Sequence, residues 1–91
     1  MMNILIIDDH PVVLDGTKTL LQDLVNVQIE TEQDSAAVLL RMDTEAFQLF
    51  LIDINMKPIN GIQLAEMIKK KQPEASLFFI QATSLPIIMS Y

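Results

Sequence analysis

The sequence predicts an α/β fold: a parallel sheet with helices on its faces, in one domain covering residues 1–91. Three observations carry this expectation. The runs Ile4, Leu5, Ile6, Ile7; Leu49, Phe50, Leu51, Ile52; and Leu77, Phe78, Phe79, Ile80 are short and continuously apolar, as in strands covered on both faces. Segments with apolar residues at helical spacing lie between them. Proline, glycine and Asp/Asn signals fall at the joints.

The elements follow in order. Residues 3–8 form the first strand, ended by Asp8-Asp9-His10-Pro11, and Pro11 suits the first turn of a helix. Val13, Thr17, Leu20, Leu21 and Leu24 then make one apolar stripe over 11–24, with Asp15, Lys18, Gln22 and Asp23 on the other side. Val25, Val27 and Ile29 alternate with Asn26, Gln28 and Glu30, which predicts a half-exposed edge strand over 25–32. Asp34 or Ser35 caps a second helix, 36–42. Residues 47–53 are the third strand and 57–61, Lys-Pro-Ile-Asn-Gly, a turn. A third helix over 62–71 turns Leu64, Ala65, Met67 and Ile68 inward, and Pro73 stops it. The fourth strand runs from 77 to 81 or 82. Residues 83–91 are an atypical apolar tail, in which Leu85, Pro86, Ile87, Ile88 and Met89 make a strand stub or an adhesive end.

This β-α-β-α-β-α-β alternation implies right-handed crossovers. In the flavodoxin-like arrangement the strand order is 2-1-3-4, and the functional edge lies at the C-terminal ends of the first and third strands.

Composition narrows the function. The chain carries 12 acidic and 6 basic residues, a formal charge of −6, which disfavours direct nucleic-acid binding. Lys69, Lys70 and Lys71 end a helix, where they serve its dipole and solubility. There is no cysteine, which excludes disulfides and thiolate metal sites and fits a cytoplasmic location. No apolar run approaches the roughly 18 residues of a membrane span, and Met1-Met2-Asn3 does not open a signal peptide. No glycine-rich phosphate loop or Ser-His-acid pattern marks an enzyme. Mean hydropathy is +0.34, high for a small domain, so the core is dense or apolar surface faces a partner.

The chemistry collects at two strand ends. Asp8 and Asp9 close the first strand and Asp53 the third. If these strands are neighbours, the three carboxylates share one edge and repel unless a counter-ion joins them. Oxygen donors suit a hard divalent cation, with Mg2+ expected. Such an ion prepares a site for a phosphoryl group, and carboxylates are known to form aspartyl-phosphates. The plainer alternative is that each Asp is a turn residue or cap, Asp9 in particular serving the first helix.

These residues resemble a known family. Ile4-Leu5-Ile6-Ile7-Asp8-Asp9-His10-Pro11 resembles the opening of receiver domains of NarL/LuxR-type response regulators. Leu51-Ile52-Asp53-Ile54-Asn55-Met56, followed by Pro58 and Asn60-Gly61, resembles the family's phosphorylation segment, and Gly16 and Thr17 fit the subfamily. The resemblance covers residues 3–82. It implies two-component phosphorelay signalling, with Asp53 as phosphoacceptor. Mg2+ would be held by Asp8, Asp9, Asp53 and the backbone carbonyl of Asn55. Pro58 and Gly61 would shape the loop, and a sensor histidine kinase or an acyl phosphate would be the donor. His10 would cap or pack, Met56 would pack in the loop, and Lys57 would be solvated.

Two departures from the family pattern matter. Receivers carry Thr or Ser at the end of strand four, and Pro73 with the run Leu77, Phe78, Phe79, Ile80 puts Gln81 at that switch position. Thr83 takes it only if the strand is two residues longer. Receivers also carry a Lys after a fifth strand, and the chain reads as truncated before helix four and strand five, with no DNA-binding output domain. Phosphorylation is then expected to be impaired. An open fourth-strand edge predicts self-association, as a dimer or with exchanged elements. The alternatives are a non-catalytic interaction or dimerisation module, a decoy of a full-length regulator, and a fragment without independent function.

Overall fold

The computed structural model describes residues 1–81 and 87–90; the side chains of 12–14, 20, 81 and 87–90 lie outside the description. Its elements are β1 (Met2–Ile7), α1 (Pro11–Leu21), β2 (Val27–Glu32), a 3-10 turn (Ser35–Ala37) leading into α2 (Val38–Arg41), β3 (Leu49–Asp53), α3 (Gly61–Lys71), β4 (Ser76–Gln81) and β5 (Ile87–Ser90). The sheet order is β2-β1-β3-β4-β5. The first four strands are parallel, in the expected 2-1-3-4 arrangement.

The continuous apolar runs are explained by burial on both faces. Along β1, Leu5 and Ile7 join Phe50, Ile52, Leu64, Ile68, Leu77 and Phe79 in a core under α2 and α3. Ile4 and Ile6 point to the α1 face with Ile29 and Leu51. That face is less well covered: Leu49, Phe78 and Ile80 are only partly buried against it.

Four expectations are corrected. The strand expected from residue 25 begins at Val27, because Asn26 turns the chain at φ 63°, a left-handed conformation that Asn tolerates. Helix α1 accordingly stops at Leu21, and Leu24 and Val25 are exposed. Met67, expected inward, is also exposed.

The fourth correction concerns the open edge of β4, since the tail makes a strand, one of its two expected forms. Residues 87–90 form β5, which pairs antiparallel with β4 in the register Gln81↔Ile87 to Phe78↔Ser90. Only residues 82–86 separate the two strands, and a parallel return needs a crossover of about a dozen residues or more. The expected open β4 edge is therefore filled by the chain itself, and association no longer follows from it. Thr83, the alternative switch residue, lies outside the described residues.

Local chemistry fixes the loops that carry the site. Asp34 accepts a hydrogen bond from the Ala36 amide, 2.9 Å. Ser35, the other candidate cap, is buried, and its hydroxyl accepts from the Ile59 amide at 3.1 Å, tying the start of α2 to the loop before α3. Asn60 caps α3 reciprocally with Gln63, an arrangement that satisfies two otherwise unpaired amides. Lys69 reaches the carbonyls of Pro73 and Ala75 beyond the end of α3, and Lys71 pairs with Asp43. These two lysines fasten the end of α3 to its surroundings.

Candidate functional site

The register brings two strand ends together. Ile7 of β1 faces Ile52 of β3, so the next residue on each strand, Asp8 and Asp53, emerges side by side. The Asp8 amide donates to the Glu32 carbonyl of β2 at 3.1 Å. The Ile54 amide donates to the Ile80 carbonyl of β4 at 3.3 Å. Each site-bearing backbone is thus held by a neighbouring strand.

Asp8, Asp9, His10 and Asp53 each offer a ligating atom, and these atoms lie within 4.8 Å of one another. Asp8 and Asp53 are each only 2% exposed. Three carboxylate oxygens, Asp8 Oδ2, Asp9 Oδ1 and Asp53 Oδ2, are buried without a hydrogen-bond partner. A buried carboxylate oxygen left in that condition is costly, and a cation is the partner that suits it.

The other oxygens are engaged. Asp53 Oδ1 accepts from the Asn55 amide at 3.2 Å. Asp8 Oδ1 accepts from both the backbone amide and Nδ1 of His10, at 2.9 and 2.8 Å. The same Nδ1 stands 3.0 Å from Asp9 Oδ1 and 3.7 Å from Asp53 Oδ2.

Electrostatics follow from this crowding. Burial is the main reason that the Asp53 carboxyl is pushed above the usual carboxylate range; the charges of Asp8 and Asp9 add to it, and the Asn55 amide opposes it. The hydrogen bond to Asp8 raises His10, helped by the charges of Asp8, Asp9 and Asp53. An imidazolium there is a single cation facing three carboxylates.

The expected residues are placed as follows. Asp8, Asp9 and Asp53 come together, and Asp9 is not the cap of α1, since His10 holds the N-cap position. His10 neither caps with its side chain nor packs; it leans over the acids, and sequence reading missed this. Met56 is buried in the α3-side core, and Lys57 is exposed. Asn55 is exposed at the pocket rim. Gln81 is the last residue of β4, one position beyond Ile80, the Cα partner of Asp53.

Gly61 has a role beyond shaping the turn. A Cβ at this position would stand 2.3 Å from the Asp53 carbonyl oxygen and 2.8 Å from Ile54 Cα. The start of α3 is therefore pressed directly onto the backbone of Asp53. The signal in the sequence was Asn60-Gly61, although it pointed to a turn and not to this contact.

Comparison with known proteins identifies the family. Residues 4–89 match the family described as the response regulator receiver domain. The transcriptional regulatory protein ComA of Bacillus subtilis is 32% identical over 80 residues, which is 85% of this chain and 37% of that protein. RcsB of Salmonella typhi is 32% identical over 93 residues, covering 98% of this chain and 43% of that protein. The chain thus spans well under half the length of these relatives. Among solved structures, the response regulator TrrA from Thermotoga maritima, in complex with Mg2+-BeF, superposes with a TM-score of 0.83 at 30% identity, covering 92% of this chain and 72% of that one. RcsB from Salmonella enterica serovar Typhimurium, bound to a promoter with the phosphomimetic BeF3−, gives 0.80 at 30% identity, over 92% of this chain and 44% of that one.

Proposed function

The chain belongs to the response regulator receiver family, and from that premise we propose that it accepts a phosphoryl group on Asp53 in a pocket that binds Mg2+. The observation that carries this reading is the set of buried, unpartnered oxygens of Asp8, Asp9 and Asp53 converging at one sheet edge. All three are hard donors of the kind Mg2+ prefers, so the residues fit the ion. Asp8, Asp9 and Asp53 would hold it, with the backbone carbonyl of Asn55 as a further ligand.

Within the pocket the chain's own groups divide the work. The Asn55 amide fixes the Asp53 carboxyl through Oδ1, so that one of its oxygens can meet the ion while the other attacks. The bond from the attacking Asp53 oxygen to phosphorus forms as the donor's bond to phosphorus breaks, and the leaving group keeps the electron pair. When bound, the cation neutralises phosphoryl oxygens and offsets the carboxylate repulsion around Asp53. Gly61 and the Asn60–Gln63 cap keep the loop beside Asp53 rigid. The donor is a sensor histidine kinase or a small acyl phosphate, the setting is the cytoplasm, and the event is a stoichiometric transfer rather than enzymatic turnover. Phosphorylation should be slow, because Gln81 stands where a small hydroxyl would follow the phosphoryl group.

The test is intact-mass analysis after incubation with acetyl phosphate and Mg2+. One added phosphoryl group on the folded protein, lost in Asp53→Ala, is expected. No adduct on protein that demonstrably binds Mg2+ would remove the phosphoacceptor role. Gln81 also favours a second reading, an interaction module that pairs with a full-length regulator without chemistry. Co-purification with such a regulator, unchanged by Asp53→Ala, would select it.

A further inference from the structure

We infer that the ring of His10 is a fourth side-chain ligand of this pocket, making it a mixed nitrogen–oxygen centre that prefers a late first-row divalent cation such as Co2+ to Mg2+. This rests on the reading of the pocket as a cation site.

The spacing of the donors carries the inference. His10 Nδ1 lies 2.8, 3.0 and 3.7 Å from one oxygen each of Asp8, Asp9 and Asp53. Ligands about 2.1 Å from an ion, at right angles to each other, stand about 3 Å apart. The nitrogen therefore already sits among the acids at the separations that one coordination sphere imposes, and on taking an ion it releases to solvent the proton it otherwise donates to Asp8 Oδ1. Asp8 Oδ2 and Asp53 Oδ2, deeply buried and without partners, complete a donor set that points to a bound cation.

The ring's position is built into the backbone. A residue before proline is held extended, and His10, preceding Pro11, has φ −108° and ψ 104°. Its amide is anchored on Asp8 Oδ1 at 2.9 Å. The ring is 59% exposed, so it forms the rim of the pocket and leaves the ion open to a further ligand. Imidazole nitrogen is a poor partner for Mg2+ and a good one for Co2+, Ni2+ or Zn2+. A nitrogen fixed beside three carboxylates thus changes which ion the pocket prefers.

The chain has one histidine, so any histidine signal is His10's. The experiment titrates the untagged protein and His10→Ala with Co2+ and, separately, with Mg2+. Proton NMR of the Co2+ form provides a second readout. The expected result is tighter binding of Co2+ than of Mg2+, and a paramagnetically shifted imidazole N–H that disappears in His10→Ala. That substitution should weaken Co2+ at least tenfold more than it weakens Mg2+, since the oxygen donors remain. Equal effects of His10→Ala on the two ions, or no shifted imidazole proton, would overturn the nitrogen ligand while leaving the cation site standing. Failure of both ions to bind the folded protein would overturn the site and the inference together.

Discussion

Among the described residues, three carboxylates gather around one cationic side chain in two places, and the two clusters are built to different ends. Around Arg41 stand Glu30, Glu32 and Glu45. The guanidinium donates to the Thr31 carbonyl at 2.8 Å and to Glu45 at 2.9 and 3.0 Å, and it lies over the Phe47 ring at 5.6 Å. Arg41 brings five donors in a rigid fork, so the cluster is satisfied in place and pins α2 to the edge strand β2. Around His10 the ring offers one hydrogen bond, to Asp8 Oδ1, and three carboxylate oxygens stay buried without partners. Similar ingredients make a clasp in one place and a receptor in the other. The difference lies in donor count and burial.

Substitutions can break this contrast, and the largest effect is expected beneath the pocket. Gly61→Ala places a methyl group against the Asp53 carbonyl and should cost about 1–3 kcal/mol by overpacking. At roughly 4–8 °C per kcal/mol for a domain of this size, the melting temperature should fall visibly, and Mg2+ affinity should fall with it. A thermal melt with and without the ion reads both.

The two clusters should then respond with opposite signs. Arg41→Ala removes packing on Phe47 and leaves three glutamates facing one another, a loss of about 1–3 kcal/mol. Asp53→Asn removes one of three crowded charges and should stabilise the metal-free protein by roughly 1 kcal/mol. Chemical denaturation measures both, and a loss of stability in Asp53→Asn would contradict the description of the pocket as strained by charge.

The smallest effect concerns pH. The hydrogen bond from Arg41 holds the Glu45 carboxyl below its ordinary value. A carboxylate lowered on folding contributes stability that is complete above its unfolded pKa and is lost as pH falls through the lowered folded value. Glu45→Gln should therefore lower stability at neutral pH, converge on the parent at acid pH, and so flatten the acid slope of the stability profile. A variant as stable as the parent at neutral pH, with the same acid slope, would show that the ion pair does not persist in solution.

The parts of this molecule legible in the sequence are those decided by burial. The apolar runs of β1, β3 and β4 are continuous because both faces are covered, so the strand order and the meeting of Asp8, Asp9 and Asp53 followed from them. Elements decided by one backbone conformation or by position at the rim were not legible. Alternation carried the second strand through Val25, and only the left-handed turn at Asn26 interrupts it. Met67 has helical spacing for the core yet lies on the exposed side of α3. β5 depends on a return to β4 that a short apolar tail does not announce. His10 looked like a cap because its role depends on three acids, one of them distant in the chain.

The most direct test follows the melting temperature of the parent protein and of Asp53→Asn across a Mg2+ titration. A ligand that binds only the folded state adds about 2.7 kcal/mol at one hundred times its dissociation constant. The parent should therefore melt progressively higher as Mg2+ rises, and Asp53→Asn should respond far less. A parent melting temperature indifferent to Mg2+, or an equal rise in both proteins, would contradict the claim that these carboxylates share a cation.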